Sequence, residues 1–150
     1  MFPTDEMSSF IKYLFDETGR HRIINDRLGK EPYLERYYLF LKDRGNFPFN
    51  IFVHKFLKSD PDELHDHPWS YFTFMLKGGY WEHTIHGKKW CGPFSYRYNA
   101  ANTLHRIELD KDVKECWTLF IPGRKKREWG FETDTGWVNN EEYLVSKKES

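Results

Sequence analysis

The sequence predicts an all-β domain, an antiparallel sandwich or barrel preceded by one short α-helix, and two observations point there. Between residues 33 and 121, short runs rich in aromatic and β-branched residues follow one another: YLERYYLFLK, NIFVHKFLK, WSYFTFMLKG, GYWEHTI, FSYRYN, HRIEL and ECWTLFI. Turn-forming clusters divide them: DRGNFP, KSDPDE, Gly78-Gly79, HGKK, NAANT and PGRKK. Strands this short and this closely spaced leave no room for the helical crossovers of βαβ units.

The elements follow in order. Residues 8–17 place Phe10, Ile11, Leu14 and Phe15 at helical spacing, with Ser8 or Ser9 as a cap and Gly19 just past the end. Residues 1–30 are therefore a helix and lead-in, residues 31–139 the barrel, and residues 140–150 a charged tail with a single helical turn before a frayed end. No internal repeat or low-complexity linker interrupts the chain, and 150 residues suit one structural domain.

Composition narrows the function classes. Aromatic residues make up 19% of the chain, too many for a disordered segment despite a mean hydropathy of -0.81. Lys plus Arg and Asp plus Glu balance at 23 each, so no global field gathers nucleic acid or an anionic membrane, and neither is an expected partner. The start, MFPTDEMSSFIKYLF, lacks a signal-peptide pattern, and no stretch is apolar for the length of a bilayer; a cytoplasmic protein is expected. Cys91 and Cys116 are too few for a disulfide framework and too far apart for a CxxC pair, so both read as reduced packing residues.

Three of the seven histidines stand where a metal site needs them. On a strand, alternate side chains share a face, so His65 and His67 of LHDHPW project together while Asp66 points away. A third imidazole must come from elsewhere. Imidazole suits Fe, Zn, Cu, Ni or Mn, so the residue type alone does not choose among them.

The arrangement resembles the cupin superfamily, whose first motif runs HxH, a glutamate and then a glycine, and whose second runs from a Pro-Gly-type turn to a third histidine. Here His65-Asp66-His67 leads to Gly78-Gly79, and CGPFSYRYNAANTLH carries Gly92-Pro93 in reversed order before His105. The resemblance covers residues 33 to 122 and implies a double-stranded β-helix, the cupin jelly-roll barrel, with His65, His67 and His105 as ligands of one divalent transition metal. The runs HDHPW, GGYWEH, LHRIEL and TLFIPGRKKREWGF are further similar to a group of small uncharacterised cupin proteins of bacteria and phages, which brings no known reaction with it.

The motif's glutamate would fall at Tyr71 or Phe72, and neither is a carboxylate. Three neutral imidazoles leave the charge of a dipositive metal uncompensated, which favours an anionic ligand. They also leave three positions of an octahedral metal open, enough for a bidentate substrate and dioxygen. The ligand set is similar to that of three-histidine cupin oxygenases such as thiol dioxygenases and diketone-cleaving enzymes.

Tyr71 shares strand parity with His67 and is a candidate hydrogen-bond donor near the metal, set against a plain barrel-wall aromatic. Glu82 could supply the absent carboxylate from the next strand, but an exposed strand glutamate is the commoner case. His54 lies on the face of Phe52 and Phe56 and is a candidate pocket residue, against a hydrogen-bonded histidine at the rim. His83 and His86 flank a hairpin turn and His21 lies in a polar connection, so none of these joins the site. Arg124, Lys125, Lys126 and Arg127 read as a solvated loop rather than a nucleic-acid contact. Asp66, Pro68 and Trp69 read as scaffold, the first as an acceptor fixing the local turn and the last closing one end of the barrel.

The expected function is a mononuclear three-histidine metal oxygenase, with Fe(II) favoured over Zn, Ni or Mn, acting on a small anionic or bidentate molecule. No catalytic side chain is assigned. The alternatives are a non-catalytic small-molecule-binding module with a structural metal or none, and, ranked lower, a sugar isomerase or epimerase, for which no acid and base pair stands out. The aromatic surplus is compatible with a homodimer.

Overall fold

A computed structural model describes residues 5–26, 30–61 and 63–149. Helix α1 (Asp5–Glu17) is followed by β1 (His21–Asn25), β2 (Pro32–Tyr38), β3 (Phe52–Phe56), β4 (Tyr71–Lys77), β5 (Tyr80–Thr84) and β6 (Gly87–Cys91). Then come β7 (Tyr96–Asn99), β8 (His105–Leu109), β9 (Cys116–Pro122), β10 (Gly130–Thr133), β11 (Gly136–Asn139) and helix α2 (Asn140–Glu149).

All strand pairs are antiparallel, and they form a six-stranded sheet in the order β1-β2-β3-β9-β4-β7, a three-stranded sheet β6-β5-β8 and the hairpin β10-β11. The sheets pack face to face as a jelly roll without closing into one hydrogen-bonded cylinder. Alternation explains the packing: along β9, Cys116, Thr118, Phe120 and Pro122 are buried and the residues between them are not. One apolar cluster, Met75, Tyr80, Cys91, Ile107 and Cys116, joins the two larger sheets. A second, Tyr38, Phe52, Tyr71 and Phe120 with Trp69 against it, belongs to the six-stranded sheet and its approach loop.

The turn between β4 and β5 requires its glycines. Gly78 has φ +75°, and a Cβ there would collide with the Glu115 carbonyl. A Cβ on Gly79 would press into the Trp90 ring and the Cys91 carbonyl, so the pair lets β5 fold tightly back and present Tyr80 and Glu82 inward.

Several elements differ from the sequence expectation. Residues 21–25 form a strand, because His21 stacks on Tyr37 and its Nε2 meets Glu35 at 2.8 Å. The segment GKKWC is a strand too, although its lysines look turn-like, because it pairs along the whole of β5. The C-terminal end, expected to hold one helical turn, is a ten-residue helix. Asn139 accepts the Glu141 N–H at 2.9 Å as its cap, and Tyr143 lies flat on the fully buried Phe131 with centroids 3.8 Å apart. No helix among the described residues is long and apolar enough to cross a membrane.

Candidate metal centre

His65 and His67 are not on a regular strand, as the alternation reading assumed. Only His65 makes β-bridges, to His105 and to Phe131, while His67 lies in the irregular approach to β4. The backbone nevertheless fixes all three histidines. His65 and His105 exchange both N–H···O bonds at 2.9 Å, and the His67 N–H donates to the Ala101 carbonyl at 3.0 Å. The imidazole rings converge, with centroids 5.1 Å apart for His65 and His67, 5.0 Å for His65 and His105, and 4.9 Å for His67 and His105.

One nitrogen from each ring lies within 4.8 Å of the other two. Imidazole nitrogens about 2.1 Å from a shared metal stand roughly 3 Å apart, so small ring rotations close the triad on an ion. His65 and His105 are only 3% and 4% exposed. Three imidazole nitrogens that converge this way, two of them on buried rings and the third on the half-buried His67, fit a divalent transition metal.

The expected exposure of Glu82 is overturned: its carboxylate is 2% exposed. It accepts a hydrogen bond from Nδ1 of His105 at 2.8 Å and is ion-paired on its other side by Arg97. Burial pushes this carboxyl up, but the His105 hydrogen bond and the nearby positive charge outweigh burial and hold it below the ordinary carboxylate range. An ionised acceptor at Nδ1 assigns the ring proton to that nitrogen and turns Nε2 toward the other histidines. The carboxylate that the sequence seemed to lack thus stands behind a histidine instead of beside it.

Tyr71 begins β4 with its ring centroid 4.6 Å from that of His67. Its hydroxyl stands 3.1 Å from Nε2 of His105 and accepts the Asn99 amide at 2.9 Å. Burial, against the opposing pull of the Asn99 bond, pushes the phenol well above its ordinary value, so it remains a proton-bearing donor.

His54 faces the same cavity, packed between Phe52 and Phe120 at centroid distances of 5.6 and 5.1 Å. Its Nε2 accepts a hydrogen bond from Arg36 Nε at 3.0 Å. Burial, then the Arg36 charge, holds its pKa well below 6.5, so the ring is neutral. The cavity measures about 150 Å³, and Trp69, Thr73, Tyr80 and Thr118 complete much of its wall.

The remaining sequence candidates, Trp69 apart, lie outside the cavity. Asp66 turns away from the rings and accepts the Gly130 N–H at 2.8 Å and the Trp137 indole N–H at 2.9 Å, while Arg127 pairs with it. It thereby ties the β10-β11 hairpin to the histidine segment. Trp69 stacks on His67 at 5.1 Å rather than sealing a distant end. In the basic loop Arg127 is committed to Asp66, and Lys125 pairs with Glu128 at 3.2 Å. His83 pairs with Glu108 at 2.7 Å, and His86 is exposed. Glu82, Arg97, Asn99 and Arg36 were missed or discounted from sequence. For Glu82 the signal was present, since it shares inward parity with the core residue Tyr80.

No family model and no curated relative matches this sequence. Solved structures do match in fold. The polyketide cyclase RemF of Streptomyces resistomycificus superposes with a TM-score of 0.57 at 13% identity, over 75% of this chain and 78% of that one. A protein of unknown function with a cupin-like fold from Ralstonia eutropha gives 0.54 at 16% identity, over 87% and 80%. FeII HppE gives 0.54 at 12% identity, over 69% of this chain and 57% of that chain. At these identities the likeness establishes the fold, which is the cupin jelly roll.

Proposed function

We propose that His65, His67 and His105 hold one divalent transition metal, with Fe(II) favoured over Zn, Ni or Mn. We propose further that the protein is a mononuclear three-histidine oxygenase acting on a small anionic or bidentate molecule. The supporting observation is the ring geometry: three imidazoles converge at the wall of a cavity of about 150 Å³, and among the described residues no carboxylate joins them. A bound redox metal would supply coordination of the substrate and activation of dioxygen.

The chain's own groups do the rest. Glu82, anchored by Arg97, orients His105 and strengthens it as a donor. Tyr71 holds a proton at its hydroxyl, positioned by Asn99, within reach of the open side of the triad. Phe120, Trp69 and Tyr80 line the space and exclude water. FeII HppE, a neighbour in fold, is consistent with an iron site but brings no substrate.

Protein purified anaerobically without chelator should carry roughly one metal per chain by elemental analysis, and His65→Ala should abolish this. Reloaded with Fe(II), it should consume oxygen with at least one member of a thiol, diketone and catechol panel. Absence of stoichiometric metal would overturn the metal assignment. Metal without oxygen uptake on any substrate class would replace the oxygenase reading with that of a small-molecule-binding module.

A further inference from the structure

Besides the triad, the cavity lining carries a positive charge with no counter-ion among the described residues. Arg36 projects from β2, its guanidinium carbon 4.5 Å over the Phe52 ring and its Nε–H committed to His54 at 3.0 Å. Among the described residues, no carboxylate lies within ion-pairing distance of Arg36. The acid in the inner cavity's lining, Asp60, is engaged by the Tyr33 hydroxyl and by the Ile107 N–H at 2.7 Å. Most other cations in the barrel wall are paired: Arg97 with Glu82, Arg127 with Asp66, Lys77 and Lys55 with Glu115.

Arg36 also stands at a junction. Together with Tyr33, Leu34 and Asp60 it borders both the inner cavity of about 150 Å³ and an outer groove of about 720 Å³ that runs between β2, the approach to His65 and α2. Stacking on Phe52 and the bond to a neutral His54 hold the guanidinium plane in place, which leaves its terminal N–H groups as a fork suited to a planar carboxylate.

We propose that Arg36 is an anion anchor and that the molecule this cavity takes is a small carboxylate, its acid group on Arg36 and its other end directed toward His65, His67 and His105. The orientation rests on the metal reading above; the anchor does not. An inner space of this size accommodates about one benzene-sized molecule, which restricts the buried part to a short acid and leaves the outer groove for any extension.

The test uses propionate, with propionamide as the uncharged control, titrated into full-length protein stripped of metal by chelation. Heat and Trp fluorescence are the readouts, since Trp69 lines the inner cavity. Saturable propionate binding is expected, with none for propionamide. Arg36→Gln should weaken it at least tenfold and Arg36→Lys less. In ¹⁵N spectra of the native chain the Arg36 Nε–H resonance should move on titration, a readout that stands even where a variant folds poorly. Undiminished binding to Arg36→Gln, or no binding by the native chain, overturns the anchor. So does binding that needs metal and is lost in His105→Ala but kept in Arg36→Gln; the metal centre then stands alone. Metal-free protein that binds propionate through Arg36 but never takes up metal upholds the anchor and sinks the metal centre instead.

Discussion

His105 and His54 are both buried at 4% exposure and both line the same cavity, yet the chain has wired them in opposite senses. On the β5-β8 side, His105 donates an Nδ1–H hydrogen bond to Glu82, an anion that is itself held by Arg97. On the β2-β3 side, His54 accepts a hydrogen bond from Nε–H of Arg36, a cation with no counter-ion among the described residues. A carboxylate behind an imidazole makes it a better donor to a cation, whereas a guanidinium in front of a buried one adds to the burial that keeps it neutral and places positive charge toward the lumen. On the reading proposed above, one wall serves a metal and the other an anion. Burial and residue type are the same; the partner decides the role.

The largest expected effect comes from breaking the first wall. His105→Ala removes one of three ligand candidates and deprives buried Glu82 of its inward partner. Metal content should fall from roughly one per chain to near zero, and urea denaturation should show a loss of about 3 kcal/mol, since a buried carboxylate loses one of its hydrogen-bond partners. Retained metal with an unchanged midpoint would remove His105 from the centre.

Glu82→Gln cuts less deeply. The amide oxygen can still accept the His105 proton, but without charge, and Arg97 loses its pair. Metal affinity should drop roughly 10- to 100-fold in competition with a chelator, with the fold retained. An unchanged affinity would make Glu82 a structural partner of Arg97 only.

The same contrast shows what could be read in advance. An antiparallel sandwich or barrel was legible because aromatic runs and turn clusters alternate at strand spacing, and the pairing of His65 with His67 because they sit two apart; the jelly roll and the third histidine, His105, came from the family resemblance. The backbone there is held by His105, Ala101 and Gly130 rather than by a regular ladder, and the rings of His65 and His67 lie 5.1 Å apart without the assumed strand. Glu82 was discounted because a strand glutamate is usually solvated; its partners Arg97 and His105 lie 15 and 23 residues away, and only folding brings them together. Arg36 was invisible for a related reason. An alternating strand such as PYLERYY gives no sign of which cation will end beside a neutral ring instead of an acid.

The second wall can be broken by pH. The folded chain holds His54 neutral well below 6.5, whereas the unfolded chain protonates it near that value, so below pH 6.5 the unfolded state binds the extra proton. Stability contributed by this group is therefore complete above about pH 6.5 and declines as pH falls, by at most about 1.4 kcal/mol per pH unit. His54→Gln should flatten the melting-temperature profile of metal-free protein between pH 7 and 5 relative to the native chain. Parallel profiles would show that His54 is not held neutral. Loss of Glu82 ionisation belongs to a lower window, because its folded pKa is depressed below the usual carboxylate value and its contribution disappears only as pH falls through that lower value.

Tyr71→Phe is the mildest change and tests where the two walls meet. The phenol ring, 2% exposed against Phe120 and His67, stays, and only the hydroxyl between Asn99 and His105 is lost. Two buried groups then lose one partner each, which should lower stability by about 1 kcal/mol while metal content stays at the native level. If Tyr71 acts only as a packing aromatic, oxygen uptake by the Fe(II)-loaded variant will equal that of the native chain under saturating substrate. If its hydroxyl holds a proton for the molecule bound between Arg36 and the triad, the maximal rate will fall while the concentration giving half-saturation, governed by the Arg36 side, stays within about twofold.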